Sequence, residues 1–228
     1  MKCIIACSKP WCFKLVDRLQ KEIDNTFILV DQKSQLTTEL LSKIRPDYIF
    51  FPHWSHKIDE AVYGQYKSII FHMTELPYGR GGSPLQNLII RGYTETMLSA
   101  IQCVEELDAG GVYMQESLSL FGTADEIFLR ASILIESMIK RILSERPKPI
   151  KQSGKITTFK RLKPEQGDWS NVDTLDEVFD KIRMLDADGY PPAFIMAGEY
   201  KIEFSRASRK IGSVIADVKI SKVKNEKN

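Results

Sequence analysis

The chain has 228 residues, 43% of them hydrophobic, with 32 Lys and Arg against 30 Asp and Glu for a formal net charge of +2. That length buries one sizeable core plus a smaller appendage, or builds one elaborated domain, and the near balance of charge gives no global field that demands a polyanion. No apolar run reaches membrane-spanning length, and residues 1–7 are too short and too quickly polar for a secretory signal, so a cytoplasmic protein without a membrane partner is expected.

In chain order, short apolar runs at residues 3–7, 27–30 and 48–51 read as buried strands. Stretches of helical period separate them, the first carrying Phe13, Leu15, Val16, Leu19 and Ile23. Lys9 and Trp11 occupy the first strand-to-helix turn, where they suit either a nucleotide's phosphate and base or packing at the helix start. Cys3, Cys7, Cys12 and Cys103 lack zinc spacing and read as core thiols. An aromatic loop, Pro52-His53-Trp54-Ser55-His56, follows the third run, and its HxxH spacing has no Cys or carboxylate partners to make a metal site. Strand and helix alternating in this way predict an α/β fold: a Rossmann-like, mainly parallel sheet with helices on both faces.

A fourth run at residues 68–71 places His72 just past a strand's C-terminal end, where open α/β sheets gather their chemistry. Histidine exchanges protons near neutral pH, and Asp108, in the turn Leu107-Asp108-Ala109-Gly110-Gly111-Val112, is a carboxylate able to orient it. Gly79-Arg80-Gly81-Gly82 lacks a P-loop lysine and reads as a turn shaping the rim of the site, with Arg80 a plausible anion contact. Residues 96–104 and 112–120 extend the sheet, and Thr123-Ala124-Asp125-Glu126 is a capping box before a long amphipathic helix. Pro147, Pro149 and the polar run 151–155 stop that helix and divide the chain into a core, residues 1–150, and a small C-terminal extension, residues 151–228. The lysines of residues 219–227 read as a solvated, frayed tail.

Two segments, Phe71-His72-Met73-Thr74-Glu75-Leu76-Pro77-Tyr78-Gly79-Arg80-Gly81 and Leu107 to Val112, resemble the folate-dependent formyltransferase family. Its signature runs Asn-x-His-Pro-Ser-Leu-Leu-Pro, then an Arg-Gly pair, then Asp-Ala/Thr-Gly. The resemblance implies a formyltransferase core with His72 and Asp108 as catalytic residues. Ile70 stands where the family has a catalytic Asn, and Asn87 is the nearest residue able to supply that carboxamide. The resemblance also implies N10-formyltetrahydrofolate as formyl donor and no metal. It makes Pro52, His53, Trp54 and Ser55 one wall of the donor's pocket, with Leu107 and Asp108, and puts Lys9, Trp11, Tyr78 and Arg80 toward the acceptor. Formyl transfer to an amine passes through a tetrahedral oxyanion, so it needs a donor for that oxygen and a base for the amine's proton.

Beyond residue 158, Lys160-Arg161-Leu162-Lys163-Pro164-Glu165, Ile182-Arg183-Met184-Leu185 and Tyr190-Pro191-Pro192-Ala193-Phe194 are similar to pieces of the sugar N-formyltransferases. The acceptor so implied is a nucleotide-linked amino sugar, such as a 4-amino-4,6-dideoxy sugar or a pseudaminic-acid precursor, in glycan biosynthesis. A homodimer fits this reading; a nucleic-acid partner does not. A methionyl-tRNA formyltransferase would carry a larger C-terminal barrel than about 70 residues allow and a more basic surface. Formylation of a carrier-protein-linked aminoacyl group is a further alternative, and a non-catalytic folate- or sugar-nucleotide-binding module is one of another class.

Overall fold

Buried on both faces, parallel strands have no need of polar alternation, and the first four strands are accordingly almost wholly apolar. In a computed structural model that describes residues 1–9 and 13–223, β1 (Lys2–Ala6), β2 (Thr26–Val30), β3 (Tyr48–Phe51) and β4 (Ser68–His72) run parallel in the order β2-β1-β3-β4. Beyond β4 the sheet continues through β6 (Glu95–Gln102), antiparallel to β4, and β7 (Val112–Ser119). The expected mainly parallel α/β sheet is therefore present, and His72 is the last residue of β4 rather than the first beyond it.

The chain goes from β1 outward to β2, then back across β1 to β3. Right-handed crossovers in opposite directions put the intervening helices, α1 (Phe13–Glu22) and α2 (Thr38–Ile44), on opposite faces. On one face Ile4, Ala6, Val30, Ile49 and Phe51 bury against Leu41 of α2 and Val62 of α3 (Glu60–Tyr63). The two-residue period sends Cys3, Ile5 and Phe50 to the other side, all fully buried, each worth about 1.5–3 kcal/mol for the larger side chains. There α1 is linked by ion pairs to the long helix α5 (Ala124–Glu145), Arg18 to Glu136 and Glu22 to Lys140, and Lys140 also pairs with Glu136 within α5. The Thr123 capping box forms: the Glu126 amide donates to Thr123 Oγ1 (3.3 Å) and the Thr123 amide to Glu126 Oε2 (2.8 Å).

Cys3, Cys7 and Cys103 are buried free thiols; burial, with Asp47 near Cys3 and Asp108 near Cys103, pushes two of them, Cys3 and Cys103, up to about 12. No helix among the described residues is long and apolar enough to cross a membrane.

Two compact units interleave along the chain. The first is built from Met1–Gly81, Thr96–Leu118 and Phe128–Phe159; the second takes Gly82–Glu95, Ser119–Ile127 and the chain from Lys160 onward. In the first, β5 (Arg80–Gly81) pairs in parallel with β8 (Thr158–Phe159). The second contains α4 (Pro84–Ile90), α6 (Leu175–Arg183) and an antiparallel sheet of β9 (Ala193–Ala197), β10 (Tyr200–Lys210) and β11 (Ser213–Lys222). Lys219 and Lys222 are thus strand residues, paired with Glu203 and Tyr200, where the sequence reading had a frayed tail; residues 224–228 lie outside the described residues. Alternating polar residues suit a sheet with one solvated face, which explains why this hairpin resembles a tail in composition.

Candidate active site

His72 ends β4 opposite Ser99 of β6, with 7% of its side chain exposed. Its Nε2 lies 2.8 Å from the Gly79 carbonyl oxygen, and since a carbonyl only accepts, Nε2 carries a hydrogen. Nδ1 faces Asp108 Oδ2 at 3.6 Å, and the Asp108 side chain is equally buried. The sequence separates these residues widely, and the sheet brings them together. Asp108 Oδ2 also accepts the Gly81 amide at 2.8 Å, so one carboxylate oxygen serves both the ring and the loop after β4.

That loop is rigidly held. The amides of Gly79 and Arg80 both donate to the Thr157 carbonyl at 2.9 Å, and Ser99 Oγ donates to the Thr74 carbonyl at 2.7 Å. Gly79 has φ +76°, and a Cβ there would stand 2.6 Å from the Phe159 ring and 2.8 Å from the Thr74 methyl, so only glycine delivers its carbonyl to His72. Tyr78 packs its edge on Phe159, with ring centroids 5.4 Å apart. Arg80 is turned inward: Nε and Nη2 donate to Gln152 Oε1 (3.1 and 2.8 Å) and Nη1 pairs with Glu106 (2.8 Å). Gln152 in turn donates to the carbonyls of Asp108 and Gly110, both at 2.8 Å. Sequence reading missed Gln152 because a glutamine in a polar run carries no signature of its own.

β1 and β3 are neighbours whose following loops diverge, the point at which open sheets form a crevice. Ser8 Oγ donates to the His53 carbonyl (3.1 Å) and joins the two loops. His53, with φ +52°, sets its ring edge against Phe128 at 5.3 Å; burial, with the Lys9 charge adding, lowers its pKa to about 4. Trp54 packs edge-on against Phe51 and His56, at 6.0 and 5.2 Å, while Pro52 is buried and Ser55 and Leu107 are exposed. Trp11 lies outside the described residues. Among the described residues no three His, Cys, Asp or Glu side chains cluster as a metal site.

Asn87 sits in α4, and its carboxamide holds its own surroundings: Nδ2 faces the carbonyls of Gly82, Ser83 and Lys160 at 3.0–3.1 Å, and Oδ1 accepts from Arg91 at 2.9 Å. Removing it takes a donor from the part-buried carbonyls of Gly82 and Lys160 and an acceptor from Arg91, while Ser83 keeps the Asn87 backbone amide, so with each bond worth about 0.5–1.5 kcal/mol Asn87→Ala should lower unfolding free energy by about 1–3 kcal/mol in urea denaturation. An oxyanion donor would instead show as lost turnover at unchanged stability.

A family model described as methionyl-tRNA formyltransferase, C-terminal domain, matches residues 164–221. A structure of methionyl-tRNA formyltransferase from Clostridium thermocellum superposes with a TM-score of 0.95 and 47% identity, covering 97% of this chain and 99% of that one. The methionyl-tRNA formyltransferase of Mycoplasma capricolum is 34% identical over 148 residues, which are 61% of this chain and 46% of that protein. The chain spans about half the length of the relatives it matches in sequence. A 4-N formyltransferase from Francisella tularensis shares the fold, with a TM-score of 0.64, at 15% identity over 86% of this chain and 93% of that one.

These findings overturn the nucleotide-linked amino sugar, the assignment to glycan biosynthesis and the exclusion of a nucleic-acid partner, since the relatives with substantial identity are methionyl-tRNA enzymes. The physical reason lies in the segments that suggested a sugar. Arg183 donates to the carbonyls of Leu120 and Gly122 (2.6 and 3.0 Å), and the Trp169 amide donates to the Phe194 carbonyl (3.1 Å) with its ring on Phe204. These contacts pack the second unit, a role that does not depend on a sugar acceptor. Nor does a near-neutral total exclude RNA, because residues 200–223 hold six basic and two acidic side chains.

Proposed function

Because the chain belongs to the folate-dependent formyltransferase family, we propose that it transfers the formyl group of N10-formyltetrahydrofolate to the α-amine of methionyl-tRNA. The observation that carries this reading is the 47% identity, over nearly the whole of both chains, with a methionyl-tRNA formyltransferase. The family model over residues 164–221 and the basic surplus of β10 and β11 support the acceptor, and the former also supports a catalytic core over residues 1–150 with a C-terminal extension over 151–228. The donor brings an activated formyl group; the chain's own residues handle the amine's proton. With Nε2 of His72 held by the Gly79 carbonyl, Nδ1 is the atom at which the ring gains or gives up a proton, and Asp108 supplies the negative charge beside it. The loops at Ser8 and His53, with Pro52, Trp54, Leu107 and Lys9, are the candidate walls for the donor and acceptor.

The test is a competition assay with N10-formyltetrahydrofolate and, in parallel, methionyl-tRNA, carrier-protein-linked methionine and a panel of nucleotide-linked amino sugars, read by mass. Formyl-methionyl-tRNA should accumulate fastest, and its rate at low acceptor concentration should fall steeply with added salt, because phosphate contacts release counterions. Formylation of any other acceptor with methionyl-tRNA left unmodified would sink the reading.

A further inference from the structure

Asp108 adopts a left-handed backbone conformation, which most residues with a Cβ avoid and Asp tolerates. Its φ is +53°, in a region that Asp enters more readily than most other non-glycine residues when local hydrogen bonds support the turn. The turn is tight on its far side too: a Cβ at Gly110 would fall 1.8 Å from the Gln102 carbonyl at the end of β6. Both carbonyls that this turn directs inward, those of Asp108 and Gly110, receive the same Gln152 amide. Gln152 reaches them because the chain after α5 lies against β7, with reciprocal backbone hydrogen bonds of 2.8 and 2.9 Å between Val112 and Ile150.

The chemistry at Gln152 is directional. A guanidinium only donates and a carbonyl only accepts, so a side chain placed between Arg80 and two carbonyls must accept at one end and donate at the other. An amide of this length does both. Arg80 fixes which way the amide faces, and its third contact, to Glu106, grips the same turn two residues before Asp108. The segment of Arg80 also contributes the Gly81 amide that binds the Asp108 carboxylate, so the bridge spans the two segments whose spacing sets the His72 contact.

We infer that Gln152 is a positioning residue for the formyl-transfer reaction: clamped by Arg80, it holds the tight Asp108 turn so that the carboxylate meets His72 Nδ1 and the Gly81 amide. Its hydrogen bonds go to Arg80 and to the Asp108 and Gly110 carbonyls, so it acts through the turn. The catalytic part of the inference rests on the function proposed above; the geometric part does not.

Gln152→Glu separates this role from a packing or charge role. The variant is isosteric and keeps an acceptor for Arg80, but it directs a second oxygen at two carbonyl oxygens. Turnover should fall about 10- to 100-fold, the scale expected when a reacting group shifts by an ångström, with KM for the folate donor held within about twofold. In amide NMR of the whole protein the Gly81 resonance should move upfield and its hydrogen exchange accelerate, while Ile4 and Ile49 amides in the central sheet keep their protection. Arg80→Lys, which retains a charge for Glu106 but frees the Gln152 amide, should shift Gly81 in the same direction by less, and it serves in place of Gln152→Glu if that variant does not fold. Unchanged Gly81 exchange in the folded variants, or a rise in KM with turnover intact, overturns the inference. The Gly81 readout needs no acceptor, so a failure of the methionyl-tRNA assay with Gly81 still responding would fault the function and leave the positioning role standing.

Discussion

His72→Asn is expected to lower formyl-transfer turnover by about 10²- to 10⁴-fold, the range for removing a general acid–base group, while binding of a non-transferable folate stays near its original strength. Asp108→Asn should give a loss of similar size. It is preferred to Asp108→Ala because its Oδ1 can still accept the Gly81 amide, so the buried loop is not left with an unpaired donor. The two side chains face each other at 3.6 Å, both nearly sealed from solvent, and act on one proton, so their losses cannot simply multiply. The double variant should be little worse than either single one. A double-mutant cycle on the single-turnover rate, alongside direct titration with the folate, decides the matter. Independent multiplicative losses, or folate affinity collapsing in His72→Asn, would mean that the pair supports the fold instead of the chemistry.

The second large effect is on acid stability and concerns His53. Its Nε2 is shut away from solvent although the residue as a whole keeps partial exposure, and the ring takes up a proton near pH 4 in the folded protein against an ordinary value of 6.5. Between those values the unfolded chain binds the proton and the folded protein does not, so stability falls as pH falls. The contribution is complete above about pH 6.5 and gone by about pH 4, and the difference amounts to about 3 kcal/mol. That is a large share of the roughly 5–15 kcal/mol by which domains are stable. Asn tolerates the left-handed backbone His53 adopts and does not titrate, so urea unfolding of His53→Asn from pH 7 to 4 should show a shallower decline than the unaltered protein. Parallel declines would assign the acid sensitivity to the carboxylates alone.

What could be read from the residues follows burial. β1 to β4 are short, nearly uninterrupted apolar runs because helices cover both faces, and such runs announce strands whatever their partners. The pairing of His72 with Asp108 was legible because each borders a strand end and the fold class collects strand ends. Gln152 was not, since its importance comes from two carbonyls and a guanidinium that only the folded chain assembles. For Asn87, the nearest carboxamide in sequence, the residues alone could not show that its amide is engaged by Gly82, Ser83, Lys160 and Arg91. The acceptor was misread for a related reason, because the motifs after residue 158 record how the second unit packs.

The interleaving of the two units has a consequence for how this protein is made. Gln86 in α4 donates to the Met184 carbonyl across 98 positions of chain. At a synthesis rate of about 5–20 residues per second, α4 waits some 5–20 s on the ribosome before that partner exists. Meanwhile Leu85, Leu88 and Ile89, buried in the finished protein, stand uncovered on the nascent chain. The first unit has its last piece at Phe159, before Met184 is made, so it can close around its sheet while fragments of the other unit still await their partners. A single cut cannot release the second unit whole, and the same threading obstructs exchange of the C-terminal region between relatives as a cassette, because two of its pieces are encoded inside the first unit.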